Sequence, residues 1–245
     1  MDQRSCDYYC YRNTRTTLLP TKKKPETIQL VIFDMDGVIT DTISSWKYLH
    51  DYFGTSNDHS VDAYLKGTID DMEFIRRDVA LWLNGNQPIT HQRLAEILAD
   101  VPLMKGAKPC IHALADQGIQ TAIVSAGLDI LARRVAKELG MNHVYANGIK
   151  VDAHGRLTGE GMLGVALMYK DHVVRSLSKK LDIPVRNMVA VGNSCFDIPM
   201  FETCGFGIAF NPEDDCVQDA ADVVVEGKDL RKILPYLEPF MPMGP

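Results

Sequence analysis

The chain has 245 residues, of which 26 are basic and 32 acidic, giving a formal net charge of −6 at pH 7. That balance argues against nucleic acid as a general partner, and no stretch approaches the roughly 18 apolar residues of a membrane helix. With 46% hydrophobic residues the chain has enough apolar content for an ordinary core, so one large domain or a core with a smaller insert is expected, with the cytoplasm as default setting. Six cysteines at 6, 10, 110, 195, 204 and 216 form no CxxC pair. They are expected to be reduced and structural, although Cys6 and Cys10 are of ligand type.

Residues 1–26 have little apolar periodicity and carry Lys22, Lys23 and Lys24. They predict a disordered tail, or else a docking arm. From Gln29 the rhythm changes. "LVIF" is a near-continuous apolar run, as in a strand buried on both faces of a parallel sheet. Further runs are "QTAIVSAG" (120–127), "MVAVGNS" (188–194), "GFGIAF" (205–210) and "ADVVV" (221–225). Helical patterns over Ala107–Gln117 and Lys170–Leu181 alternate with them. The pattern predicts a Rossmann-like α/β core with a parallel sheet, over residues 27–41 and 104–240.

Residues 42–103 break the alternation. "IDDMEFIRRDVALWL" puts Met72, Ile75, Val79 and Leu83 on one stripe, and "THQRLAEILADV" offers Thr90 as an N-cap. This block predicts a small helical cap inserted after the first strand. "NGIKVDAHGRLTG" (147–159) predicts a β-hairpin turning at Gly155.

In "VIFDMDGVIT", Asp34 ends the first strand and Asp36 follows in the loop, where Gly37 lets the chain turn. Two carboxylates this close raise each other's pKa unless a cation lies between them, and oxygen ligands in an open loop suit Mg²⁺. The pair also allows a division of labour. One carboxylate attacks phosphorus and the other moves protons. A surface turn with an aspartate cap remains the plainer alternative. Three further strand ends bear on the choice. Ser125, with the amides of Ala126 and Gly127, suits a phosphate oxygen or a simple helix cap. Lys170 starts a helix and either neutralises phosphate or lies in solvent. Asn193 and Asp197 in "VGNSCFD" either complete a Mg²⁺ shell or cap the next helix.

In this order the four sites resemble the haloacid dehalogenase superfamily, over about residues 28–238. The long stretch from Met104 to Gly159 and "AVGNSCFDIPMFETCGFGIAF" are similar to its phosphoserine phosphatase-like branch. The resemblance implies a Mg²⁺-dependent phosphatase of small soluble phosphomonoesters. Asp34 is then the nucleophile and Asp36 the acid and base. Ser125, Ala126, Gly127 and Lys170 hold phosphate. Mg²⁺ rests on Asp34, the carbonyl of Asp36 and Asn193, with Asp197 supporting. Arg76 resembles the cap arginine that meets a substrate carboxylate. Three positions depart from the family pattern. Asn193 stands for aspartate, Ile43 for the glutamate that holds the ammonium of phosphoserine, and Phe196 for a smaller residue. Asn193 opens the alternative of a weakened module that binds a phosphate ligand or a protein partner. Metal-free dehalogenation of a small acid is a further alternative.

Overall fold

The computed structural model of the chain describes residues 24–83 and 88–242. Seven strands form one sheet in the order β4-β3-β2-β1-β5-β6-β7. They are β1 (Leu30–Phe33), β2 (Gln120–Leu128), β3 (His143–Val151), β4 (Leu157–Met162), β5 (Met188–Gly192), β6 (Phe206–Phe210) and β7 (Val223–Val225). All neighbours are parallel except β3 and β4. The sheet is therefore α/β and mostly parallel.

β1 lies at the centre, pairing Leu30 with Gln120 on one side and with Met188 on the other. Both its faces are covered, which explains why all four of its residues are apolar and buried. Side chains alternate across the strand. Val31 and Phe33 join a core with Cys110, Leu131 and Val135, from helices α5 (Ala107–Asp116) and α6 (Asp129–Leu139). Leu30 and Ile32 join a second core with Val174, Leu177 and Phe201, from α7 (Lys170–Leu181) and α8 (Ile198–Thr203). The result is three layers, with the first strand's carboxyl end pointing into the crevice between its two neighbours.

Between β1 and α5 lie four helices and, among the described residues, no strand: α1 (Ser45–Phe53), α2 (Asp58–Leu65), α3 (Asp71–Leu83) and α4 (His91–Leu98). Ser44 caps α1 and Gly54 ends it at φ +64°. Thr90 caps α4, its hydroxyl accepting from Arg93 N at 3.1 Å. On α3 the buried stripe is Ile75, Asp78, Val79 and Trp82, whereas Met72 and Leu83 are half-buried. The stripe thus includes a carboxylate, which no apolar periodicity signals.

The hairpin at residues 147–159 is real, with Gly155 at φ +73° in its turn. Its first arm begins earlier than the sequence indicates. β3 starts at His143 and pairs parallel with Ala122–Val124 before it meets β4. Its first four residues are only half-buried, so "HVYA" lacks the unbroken apolar character of a central strand. The tail expectation covers residues 1–26, of which 1–23 lie outside the described residues. At its end, Pro25 is buried and Ile28 N bonds Phe240 O at 2.8 Å. Cys110, Cys195 and Cys204 are buried free thiols, but Cys216 is disulfide-bonded, so not every thiol is reduced. Cys6 and Cys10 lie outside the described residues.

Ile32 is fully buried beside Ala122 and Ala190. Ile32→Ala is expected to cost about 2–5 kcal/mol of stability, since small neighbours cannot close the cavity. A urea midpoint close to the wild type at unchanged slope would contradict this.

Candidate active site

The strand ends converge on one cavity of about 510 Å³. Asp34, Asp36, Ser125, Ala126, Gly127, Lys170 and Asn193 all line it. Asp34 continues β1, its backbone N–H donating to Val191 O at 2.9 Å. Lys170, the first residue of α7, is 2% exposed and sends its ammonium between two carboxylates. Nζ lies 2.6 Å from Asp197 Oδ1 and 3.1 Å from Asp34 Oδ1. Burial alone would lower the Lys170 pKa. The charges of Asp197 and Asp34 outweigh it and hold the ammonium above its usual range. Burial pushes Asp34 up to about 7, against the pull of Lys170 and a hydrogen bond with Ser125. Asp197 and Asp36 add to the rise.

Asp36 is half-buried and held by a residue that the sequence did not point to. Ser45 donates to Asp36 Oδ2 from its backbone N–H and its hydroxyl, each at 2.8 Å. The same hydroxyl accepts from Leu128 N at 3.0 Å, tying α1 to the end of β2. The Asp36 carboxyl is raised, mainly by burial, with the Ser45 bonds opposing. An aspartic acid that keeps its proton is the requirement for a general acid. Gly127 sits against this group. A Cβ there would come within 2.7 Å of Asp36 Oδ2 and of Ser45 Oγ.

Ser125, Ala126 and Gly127 belong to the extended run of β2, and α6 starts only at Asp129. They do not form a helix N-terminus as the sequence suggested. The Gly127 amide already donates to Ser125 Oγ at 3.1 Å. Asn147 of β3, also missed, braces the segment. Its Nδ2 donates to Ala126 O and Val165 O, and its Oδ1 accepts from Gly164 N and Val165 N.

Asp197 is fully buried and does not line the cavity. Besides Lys170, it accepts from the backbone of Asn193 at 2.9 Å and of Ser194 at 3.1 Å. Both its oxygens are engaged, so it stands as the anchor of Lys170 and of this loop, and not as a direct cation ligand. Arg76 departs further from expectation. Its guanidinium is exposed, pairs with Glu73 and Glu160, and is not part of the cavity wall. The structure thus does not bring Arg76 to the cavity that gathers the other expected residues. α3 turns Arg76 outward and turns Asp78, two residues on, into the wall.

The oxygens of Asp34, Asp36 and Asn193 are the donor type that suits a hard divalent cation. Asn193 Nδ2 donates to Glu213 Oε1 at 3.0 Å, which turns its amide nitrogen away and leaves Oδ1 to accept. Gly37, at φ +78°, makes room for this amide, because a Cβ there would sit 2.2 Å from Asn193 Nδ2. Glu213 is a further residue without a sequence signal. Its carboxyl is raised by desolvation, then by the charges of Asp197, Asp214 and Asp36. Asp34 Oδ1 has an ion contact but no well-aligned hydrogen bond, consistent with a place for a cation. Among the described residues no group of three His, Cys, Asp or Glu side chains is arranged to hold a metal ion; the donor set here is two aspartates and an amide.

A family model described as haloacid dehalogenase-like hydrolase matches residues 31–202. The chain is 33% identical over 213 residues to a phosphoserine phosphatase of Idiomarina loihiensis, covering 85% of this chain and 93% of that protein. With the phosphoserine phosphatase of Archaeoglobus fulgidus it shares 29% over 206 residues, spanning 82% of this chain but only 58% of that relative. A solved structure described as a phospho-aspartyl intermediate analogue of phosphoserine phosphatase superposes with a TM-score of 0.72 at 26% identity. It covers 88% of this chain and 100% of that one.

With no cation bound, Asp34 has a folded pKa of about 7 against 3.8 for the unfolded chain. The folded protein then holds a proton that the unfolded chain has lost, so stability falls as pH rises from about 4 to about 7. Chelator-treated wild type should lose melting temperature relative to Asp34→Asn across that window and run parallel to it above. Parallel curves throughout would place Asp34 at its ordinary pKa.

Proposed function

Since the chain belongs to the haloacid dehalogenase-like hydrolase family, we propose that it is a Mg²⁺-dependent phosphatase of small phosphomonoesters, working through an aspartyl-phosphate on Asp34. The observation that carries this reading is the meeting of Asp34, Asp36, Ser125 and Lys170 in one cavity from separate chain segments.

Asp34 attacks phosphorus, forming a phosphorus–oxygen bond to its carboxylate as the bond to the leaving oxygen breaks. Asp36 gives that oxygen a proton, then takes one from the water that hydrolyses the acyl phosphate. Its raised pKa serves the first role. The Ser125 hydroxyl and the Lys170 ammonium hold the phosphoryl oxygens, and the buried ammonium counters their charge where water does not screen it. Mg²⁺, when bound, would neutralise phosphoryl charge from Asp34, the carbonyl oxygen of Asp36 and Asn193 Oδ1.

Phosphoserine is the substrate named for the relatives. For this chain, Ile43 stands where the family glutamate would hold the ammonium and Arg76 turns outward, so neither of the family's contacts to a serine leaving group is made at those two positions. Asn193 alone favours a second reading, a phosphate-binding module with little turnover.

Turnover of 4-nitrophenyl phosphate with Mg²⁺ and its loss with chelator are the expected outcomes. A phosphoryl mass adduct should appear in wild type and be absent from Asp34→Asn. Asp36→Asn should lose about 10²–10⁴-fold on alkyl phosphates, with smaller loss on the nitrophenyl ester, whose leaving group needs no proton. Equal loss on both would give Asp36 another role. Activity that appears only in Asn193→Asp would select the binding module.

A further inference from the structure

The helical insert holds a buried polar cluster that the phosphate chemistry does not use. Asp78 of α3 is 3% exposed, yet it forms part of the cavity wall. Its Oδ2 accepts from Asn57 Nδ2 at 2.8 Å and faces His50 Nε2 at 3.4 Å. Its Oδ1 has no hydrogen-bond partner.

His50 Nε2 makes no hydrogen bond to this carboxylate. Trp82 Nε1 donates to His50 Nδ1 at 3.1 Å, and the Thr55 hydroxyl lies 2.8 Å from the same nitrogen. A ring nitrogen that accepts carries no proton, so the single proton of a neutral ring sits on Nε2, facing Asp78. Among the described residues no lysine or arginine forms an ion pair with Asp78. The other cation at the cavity wall near the insert, Lys47, is paired with Asp51. A carboxylate out of water with one oxygen unmet is costly unless a donor of positive charge meets it.

The surroundings narrow what that donor is. Tyr64 and Phe74, stacked at 5.1 Å, and Trp46 share the wall with Asp78. Aromatic faces beside a carboxylate are the chemistry that holds an organic ammonium. Asp71 in the same wall is already engaged, its Oδ1 accepting from Leu167 N and the Tyr64 hydroxyl. Among the described residues the basic side chains nearest this wall are paired with acidic ones, Lys47 with Asp51 and Arg76 with Glu73 and Glu160.

We propose that Asp78 receives the ammonium of the leaving group, so that the substrate is a phosphomonoester of an amino alcohol without a carboxylate. The ammonium donates to Asp78 Oδ1 while the phosphate lies at Asp34. Asn57 holds the carboxylate through its other oxygen, with His50 Nε2 beside it. This inference rests on the phosphatase reading above.

The test compares kcat/KM for 2-aminoethyl phosphate and for propyl phosphate, which replaces the ammonium by a methyl group of similar size, with Mg²⁺ present. Wild type should favour the amine by about tenfold or more, the value of a charge-assisted bond made in a site out of water. Phosphoserine, which adds an unmet carboxylate, should fall below 2-aminoethyl phosphate. In Asp78→Asn the amine-to-propyl ratio should drop toward one. The ratio is internal to each protein, so partial loss of folded variant does not move it, and the wild-type ratio is a test without any variant. No turnover of 4-nitrophenyl phosphate by wild type would overturn the phosphatase reading itself. Turnover of that ester with a ratio near one would overturn the ammonium site alone. A ratio that survives in Asp78→Asn would remove Asp78 from the role.

Discussion

The Lys170 ammonium, lodged between Asp34 and Asp197, is the interaction on which the site depends. It joins three elements that are far apart in the chain: the end of β1, the start of α7 and the turn after β5. A single positive charge serves two carboxylates there, so each is compensated only in part. Removing the lysine would leave both negative charges buried and close together, a far worse state than an apolar site. Asp197 uses its remaining oxygen to fold the loop that presents Asn193. The same ion cluster thus shapes the backbone and sets the charge seen by a ligand.

From this imbalance the rest of the site can be understood. Burial raises Asp34 and Asp36 together, and the proton that each then favours has opposite value in the two roles. In the proposed reaction Asp36 would give its proton away, whereas a proton on Asp34 would block the attacking oxygen, so that group would need further positive charge before reacting. The chain withholds one negative charge at position 193 and places Glu213 next to the amide. A carboxylate that orients a neutral ligand is a different solution from a carboxylate that ligates directly. In the proposed site it would lower the negative charge around a bound cation.

What could be read from the sequence follows from what burial does to residue choice. β1, β2, β5 and β6 are covered on both faces and read as apolar runs. β3 runs at a half-covered margin and did not. Asp34, Ser125, Lys170 and Asn193 stood out because each is a polar residue at the end of an apolar run or the start of a helix. Arg76 was singled out by its resemblance to the cap arginine of the family, but its position on α3 faces solvent. Asp78 was hidden on the apolar side of that stripe, and Ser45, Asn147 and Glu213 act through contacts made only when distant segments meet. Such contacts leave no local pattern. The Cys216 disulfide is of the same kind.

The helical insert is stitched to the sheet along two borders: Ser45 and Trp46 of α1 bond Leu128 N and Ala126 O at the end of β2, and a second seam follows the hairpin. Thr90 bridges to Arg156, His91 N–H bonds Gly155 O, and Leu157 N–H bonds Ile89 O across the hairpin turn. Leu167 N–H reaches Asp71 in the same region. Ile43, Ser44 and Lys47 form the facing rim, where Ile43 is 72% exposed. A body fastened along two borders is held more firmly than a door on one jamb. A molecule that enters over this rim crosses a greasy sill at Ile43, and the bonds of Ser45 and Trp46 hold that sill in register with the ends of β1 and β2.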